Sequence, residues 1–175
     1  MRYYAVLDTN VLVSYMLTKM PDSKVVKCVN LIREDKIIPL YNQTILREYT
    51  EVLNRDHFGF ERNKVEELID LVNKKGIDSQ ASPVEGFFPD PDDVVFYEVA
   101  MSREDSYLVT GNLKHFPKNG RVVTPAEMLQ IIEFGELPKG LLNAPDRPEY
   151  MSMTLDEINA VIRQVRREMQ CGAWK

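Results

Sequence analysis

The chain of 175 residues is 44% hydrophobic and 28% charged, with a formal net charge of −5 at pH 7. These values are typical of one globular domain with a full core, and the length leaves room for an appendage. No apolar run is long enough to cross a membrane, and Asp8 and Asn10 interrupt the first apolar stretch too early for a signal peptide. Cys28 and Cys171 lie far apart without a zinc-binding spacing, so we expect reduced thiols in a cytoplasmic protein.

Short apolar runs rich in β-branched residues alternate with helical patterns along the chain. The predicted strands cover residues 3–7, 37–41, a short stretch from 77, 107–110 and 121–124, and the predicted helices cover 11–17, 23–32, 44–53, 65–76, 94–100 and 125–132. This alternation indicates an α/β fold with a mostly parallel sheet of four to five strands and helices on both faces. Right-handed crossovers would bring the carboxyl ends of the strands to one edge, where ligands bind in open α/β folds.

Side chains with oxygen ligands gather at this predicted edge, at the ends of strands or in the helices that follow them. They are Asp8, Glu48, Asp93 and Asn112. Clustered carboxylates repel one another unless a cation neutralises them, and such oxygens suit a hard cation such as Mg²⁺ or Mn²⁺. A divalent cation in turn favours in-line displacement at phosphorus, so the pattern predicts metal-assisted hydrolysis of phosphodiesters.

Each acid also has a purely structural interpretation. Asp8 could simply cap the helix that follows it, and Glu48 could be a solvated helix acid. Asp93 could cap a helix, while Asp90 and Asp92 could be turn formers.

Four segments resemble the PIN-domain family, and the resemblance runs in order from residue 2 to about residue 134. They are Val-Leu-Asp-Thr-Asn-Val-Leu-Val at 6–13, Ile-Leu-Arg-Glu-Tyr-Thr-Glu-Val-Leu at 45–53, Asp-Pro-Asp-Asp-Val-Val-Phe-Tyr-Glu-Val-Ala at 90–100 and Leu-Val-Thr-Gly-Asn-Leu-Lys-His-Phe-Pro at 108–117. More narrowly, the chain is similar to PIN proteins that are toxin components of bacterial toxin–antitoxin pairs. The resemblance implies a three-layer α/β/α fold, a Mg²⁺- or Mn²⁺-dependent ribonuclease activity, a homodimer and inhibition by an antitoxin protein.

The resemblance also implies roles for individual residues. Asp8, Glu48 and Asp93 correspond to the family's metal-binding acids, and Asp93 is favoured over the adjacent aspartate because it stands seven residues before the small residue at 100. Asn10 and Thr110 correspond to polar positions that support the acids through hydrogen bonds.

Asn112 departs from the family pattern, because many members have an acid there. Its amide could ligate a cation but adds no negative charge, which favours one firmly held ion and a second that arrives with substrate. Lys114, His115 and Lys118 follow directly and are predicted contacts for RNA phosphates. His115 could instead be a general acid, or have only a surface or capping role.

The composition changes after the predicted nuclease domain at 1–135. Prolines and glycine between 137 and 148 predict a linker, and a capping box at Thr154 and Glu157 begins an amphipathic helix, so we assign 136–175 to a linker and C-terminal helix. The apolar stripe of this helix must be buried, either against its own domain or against another subunit or protein. Its basic residues, Arg163, Arg166 and Arg167, are interpreted as solvated surface.

The sequence is compatible with two functions. The first is a metal-dependent endoribonuclease, in which Asp8 and Asp93 hold the cation and Glu48 positions or deprotonates the attacking water. The alternative is a PIN-fold module that binds RNA or protein with weak or no catalysis, which the amide at Asn112 and the acidic net charge favour. A phosphatase of the aspartyl-phosphate kind is disfavoured. Such enzymes have an Asp-x-Asp motif after the strand, and here Asn10 stands in place of the second aspartate.

Overall fold

The structure is a computed structural model that describes residues 1–135 and 152–172 of the chain. Within these residues one sheet is formed by five strands: β1 (Tyr3–Leu7), β2 (Ile37–Tyr41), β3 (Ile77–Asp78), β4 (Ser106–Val109) and β5 (Val122–Val123). Their order is β3-β2-β1-β4-β5, and each neighbouring pair is parallel. Helices flank the sheet, so the predicted three-layer α/β/α fold is confirmed.

The described ranges contain seven α-helices. They are α1 (Thr9–Leu17), α2 (Lys24–Arg33), α3 (Gln43–Leu53), α4 (Arg62–Lys75), α5 (Val94–Met101), α6 (Pro125–Phe134) and α7 (Leu155–Gln170). Short 3-10 turns at Pro91–Asp93 and Leu113–His115 precede α5 and follow β4. The predicted caps are present: Ser23 accepts a hydrogen bond from the backbone of Val26 at the start of α2, and Thr154 forms a capping box with Glu157 at the start of α7.

The central strand β1 lies where the order of the sheet reverses. The chain moves from β1 to β2 and β3 on one side, and then returns to place β4 and β5 on the other. The β1–β4 ladder ends with Leu7 beside Val109, and the backbone N–H of Asp8 then donates to the Val109 carbonyl at 2.9 Å. Such a reversal opens a crevice beyond the carboxyl ends of the two strands, so residues 8 and 110 line that crevice.

Burial on both faces explains why β1 is a continuous apolar run rather than an alternating one. Ala5, Val6 and Leu7 are all buried, as are Val11 and Leu12 at the start of α1. Helix α1 begins two residues earlier than predicted because Asp8 caps it, with one carboxylate oxygen accepting from the backbone N–H of Asn10. The chain therefore turns at Asp8 without an intervening loop.

The C-terminal helix docks onto the chain's own domain. Helix α7 packs against α1 and α3, and it buries Ile158, Ile162 and Val165 completely or nearly so. Burial of each such side chain stabilises the docked helix by about 1.5–3 kcal/mol. The predicted linker lies outside the described residues, so the boundary at 135 stays a prediction. Among the described helices, none has the length and apolar character needed to cross a membrane.

Candidate active site

The site is built around Asp8, which is fixed at the end of β1. Its side chain is 4% exposed, and its Oδ2 atom accepts two hydrogen bonds, from Asn10 Nδ2 at 2.8 Å and from the Thr110 hydroxyl at 2.6 Å. Asn10 is itself held by the backbone N–H of Gly111, which donates to Asn10 Oδ1 at 3.0 Å. The structure thus brings Asn10 and Thr110 directly to the carboxylate that the sequence places at the strand end.

Helix α3 delivers Glu48 into the same region. Asn42 caps this helix, and its strongly amphipathic pattern turns Glu48 inward beside Ile45 and Val52. Glu48 is 5% exposed, and its Oε1 atom accepts a hydrogen bond from the Thr9 hydroxyl at 2.5 Å. Glu48 is therefore not a solvated helix acid.

Asp93 is the third buried acid, at 3% exposure. It stands between the 3-10 turn and α5, makes no side-chain capping bond there, and approaches His115 Nδ1 through its Oδ2 atom at 2.9 Å. Its neighbour Asp92 is only half-buried and accepts a hydrogen bond from Gln170 at 2.7 Å. Asp90 caps the 3-10 turn by accepting from the backbone N–H of Asp92. Of these three aspartates, Asp93 is the most deeply buried.

The centre of the acidic cluster is filled by the guanidinium of Arg166, from α7. Its Nε and Nη2 atoms donate to the two oxygens of Glu48, each at 3.0 Å, and its Nη1 atom donates to Asp93 Oδ1 at 2.7 Å and to Asp90 Oδ2 at 3.2 Å. The guanidinium also lies 5.7 Å from the centre of the Phe96 ring. Arg166 is 5% exposed. This paired geometry is the one in which arginine binds carboxylates most strongly.

Sequence reasoning missed Arg166, and its interpretation as solvated surface is wrong. The signal was present, because Arg166 continues a spacing of four residues from Ile158 and Ile162 and so falls on the buried side of α7. An arginine on a buried face requires carboxylate partners from elsewhere in the fold. The flanking Arg163 and Arg167 are exposed, as predicted.

Burial and mutual repulsion perturb the acids. Burial, together with the charge of Asp8, raises the pKa of Asp93 to about 6, although Arg166 acts in the opposite direction. Burial also raises the pKa of Glu48, against the lowering effect of the hydrogen bonds from Arg166 and Thr9. For Arg166, burial lowers the pKa, but the surrounding acids outweigh it and the net shift is upward. The guanidinium is therefore a permanent positive charge in the site.

The buried carboxylates have the right chemistry to bind a divalent cation, but most of their oxygens already accept hydrogen bonds from protein groups. Carboxylates from β1, α3 and the start of α5 are the ligands that Mg²⁺ and Mn²⁺ prefer. In the described residues, however, no three Asp, Glu, His or Cys side chains are grouped so that they could hold a metal ion together. The Arg166 guanidinium takes both oxygens of Glu48 and one of Asp93. A cation that bound Glu48 or Asp93 Oδ1 would therefore compete with Arg166 for these oxygens.

The remaining predicted residues lie around this centre. The backbone N–H of Asn112 donates to the Thr110 hydroxyl, and no hydrogen bond joins the Asn112 side chain to the acids within the described part of the chain. Lys114 and Lys118 are exposed, and only His115 reaches the acids. A cavity of about 400 Å³ opens beside His115 and is lined by Pro89, Asp90, Asp92, His115, Arg163 and Arg167.

Comparison with protein-family models identifies the family of this chain. The sequence model of the PIN domain matches residues 4–114, which is more than half of the chain. The chain belongs to the PIN-domain family. Domains of this family are generally metal-dependent nucleases, and this PIN domain has their nuclease-like fold. Neither the curated proteins nor the solved structures provide a significant match.

The raised pKa of Asp93 predicts a pH-dependent stability in this PIN domain. Because the folded-state pKa of about 6 exceeds the ordinary value of 3.8, protonated Asp93 stabilises the fold at low pH, and this contribution is lost as the pH rises through about 6. The free energy of unfolding of wild type relative to Asp93→Asn should fall by up to about 3 kcal/mol between pH 4 and pH 7. Urea denaturation with a metal chelator measures it. Parallel pH profiles for the two proteins would contradict the prediction.

Proposed function

We propose that this PIN domain is a metal-dependent endoribonuclease that hydrolyses RNA phosphodiester bonds. The observation that supports it is the convergence of Asp8, Glu48 and Asp93, each nearly fully buried, beyond the carboxyl end of β1. Burial of a charge is costly unless it is paired, and Arg166 brings only one positive charge to these three carboxylates. Three of them at the crevice of the sheet favour a cation site over a structural role.

Asp8 and Asp93 are the proposed ligands of Mg²⁺ or Mn²⁺, with Glu48 beside them. When bound, such a cation supplies Lewis-acid chemistry, in that it stabilises charge on the reacting phosphate and makes a water molecule more acidic. Asn10 and Thr110 hold Asp8 in one orientation through the hydrogen bonds to its Oδ2 atom. The ligand geometry is then set before substrate arrives.

Glu48 is the proposed base. Freed from Arg166, a Glu48 oxygen would accept a proton from the attacking water, whose oxygen forms the new bond to phosphorus while the bond to the leaving ribose oxygen breaks. Its raised pKa suits this role, because an effective base has a pKa closer to the operating pH. His115, at 2.9 Å from Asp93, would bind a phosphate or protonate the leaving oxygen. Lys114 and Lys118 are exposed beside it and would contact the RNA backbone.

A binding module without catalysis is the second candidate, and Arg166 is the observation that favours it. A guanidinium that neutralises Glu48 and Asp93 permanently would remove the need for a metal. This candidate predicts RNA binding that does not require Asp8 and no Mn²⁺ uptake by calorimetry, with or without RNA.

The cellular role proposed for this nuclease is the toxin of a toxin–antitoxin pair, which the family resemblance supports. Its partners would be RNA, an antitoxin protein and a second copy of the chain, in the cytoplasm. The exposed aromatic side chains Phe87 and Phe134, 85% and 63% exposed, are suited to such protein contacts.

The proposed homodimer predicts a molecular mass in solution near twice the 20.3 kDa of one chain. Light scattering measures this mass, and a monomeric mass would contradict the homodimer.

Asp8→Asn tests the nuclease proposal. The substitution keeps the shape of the side chain and removes a negative charge, so RNA cleavage in the presence of Mg²⁺ or Mn²⁺ should fall by a factor of about 100 or more. Cleavage of a labelled RNA followed by gel electrophoresis measures it, with Asp22→Asn on the exposed surface as the matched control. Equal cleavage by wild type and Asp8→Asn would refute the assignment.

A further inference from the structure

We propose that α7 is an internal inhibitor of the acidic site. The Arg166 guanidinium occupies the position of the divalent cation, and metal and RNA gain access only when α7 withdraws from the domain. This inference rests on the proposed nuclease function, and it assigns a regulatory role to a segment that follows the residues matched by the family.

The contacts of Arg166 leave no carboxylate oxygen of Glu48 or Asp93 without a partner. Both oxygens of Glu48 and the Oδ1 atom of Asp93 accept from the guanidinium, and the Oδ2 atom of Asp93 faces His115. A cation that coordinated these oxygens would need the same lone pairs. It would also lie next to a permanent positive charge, so simultaneous binding of the cation and Arg166 is electrostatically unfavourable.

Helix α7 is anchored over the site along its whole length, so the position of Arg166 is set by the helix. At its beginning, the Leu155 side chain packs against Gly111. A Cβ atom added to Gly111 would lie 3.1 Å from Leu155 Cδ1. One turn later, Asn159 Oδ1 accepts from Asn10 Nδ2 at 3.4 Å. Near the end, Glu168 forms an ion pair with Arg55 at 2.7 Å.

Two features make this contact displaceable. Desolvation of both partners offsets much of the attraction in a buried ion pair, so another cation could replace Arg166 beside the acids at small net cost. Asn159 adds a second cost, since its Nδ2 atom is buried without a hydrogen-bond partner in the described residues. The polar contacts of α7 with the site therefore orient the helix but add little to the stability of its docking.

The charge balance favours a divalent cation over Arg166. Four acids surround the guanidinium: Asp8, Glu48, Asp90 and Asp93. The guanidinium supplies one positive charge, whereas Mg²⁺ or Mn²⁺ supplies two, so the acids gain more electrostatic stabilisation from the metal. Because coupling between two ligands of one site is reciprocal, a docked α7 weakens metal binding and bound metal weakens the docking of α7 by the same factor.

Titration of the full-length chain with Mn²⁺ in a calorimeter tests the proposal. Arg166→Met keeps the length of the side chain and removes its charge, and it should bind Mn²⁺ about tenfold or more tightly than wild type, as expected if the free site is open in a tenth of molecules or fewer. Arg163→Met is the matched control, because it removes an exposed arginine from the same helix. The control should bind Mn²⁺ as wild type does.

A second variant covers the case in which loss of Arg166 unfolds the site. Ile162→Ala removes buried contacts of α7 and leaves every site residue in place, so it should also tighten Mn²⁺ binding.

Hydrogen exchange of the wild type gives an independent readout. Saturating Mn²⁺ should accelerate exchange of the backbone amides of residues 155–170 relative to those of β1, because the cation and the docked helix exclude each other.

The outcomes separate this inference from the nuclease proposal. Equal Mn²⁺ affinity in wild type, Arg166→Met and Ile162→Ala, or Mn²⁺ binding without faster exchange in α7, would overturn the internal inhibitor while RNA cleavage that depends on Asp8 would persist. Failure of all variants to bind Mn²⁺, together with cleavage that does not require Asp8, would overturn both. Tighter binding in both α7 variants, accompanied by faster cleavage, supports both.

Discussion

The bidentate contact between Arg166 and Glu48 is the interaction on which the described site depends. Burial and the charge of Asp8 raise the pKa values of Glu48 and Asp93, so a positive charge beside these two acids favours their carboxylate forms. Arg166 supplies that charge from a helix more than 70 residues along the chain from Asp93. The two acids that Arg166 binds are also a proposed cation ligand, Asp93, and the proposed base, Glu48, so the contacts of the resting fold involve groups proposed for the chemistry.

The topology of the sheet explains why the acids meet. Reversal of strand order at β1 opens the crevice between β1 and β4, and the chain turns sharply there because Asp8 ends one element and caps the next. Asp8 is consequently both a helix cap and a member of the site. Its two interpretations from sequence, as cap and as functional acid, do not exclude each other.

The sequence predicted the strands, the acids at their ends and the capping box of α7, because these depend on local patterns of hydrophobicity and hydrogen bonding. The helical pattern places Glu48 beside an apolar face, but its burial depends on the elements that pack there. Arg166 was not predicted to enter the site, because its partners come from α3 and the turn before α5, which no local pattern connects to α7. Asn112 shows the same limit, since its side chain has a motif position but makes no hydrogen bond to the acids in the described residues.

The most direct test of the central claim is a crystal structure of the full-length chain soaked in Mn²⁺, with anomalous scattering used to locate the ion. We predict a Mn²⁺ ion coordinated by Asp8 and Asp93 with Glu48 beside it, and an Arg166 side chain withdrawn from both Glu48 and Asp93. A well-occupied Mn²⁺ ion elsewhere, with Arg166 still bonded to Glu48 and Asp93, would contradict the account.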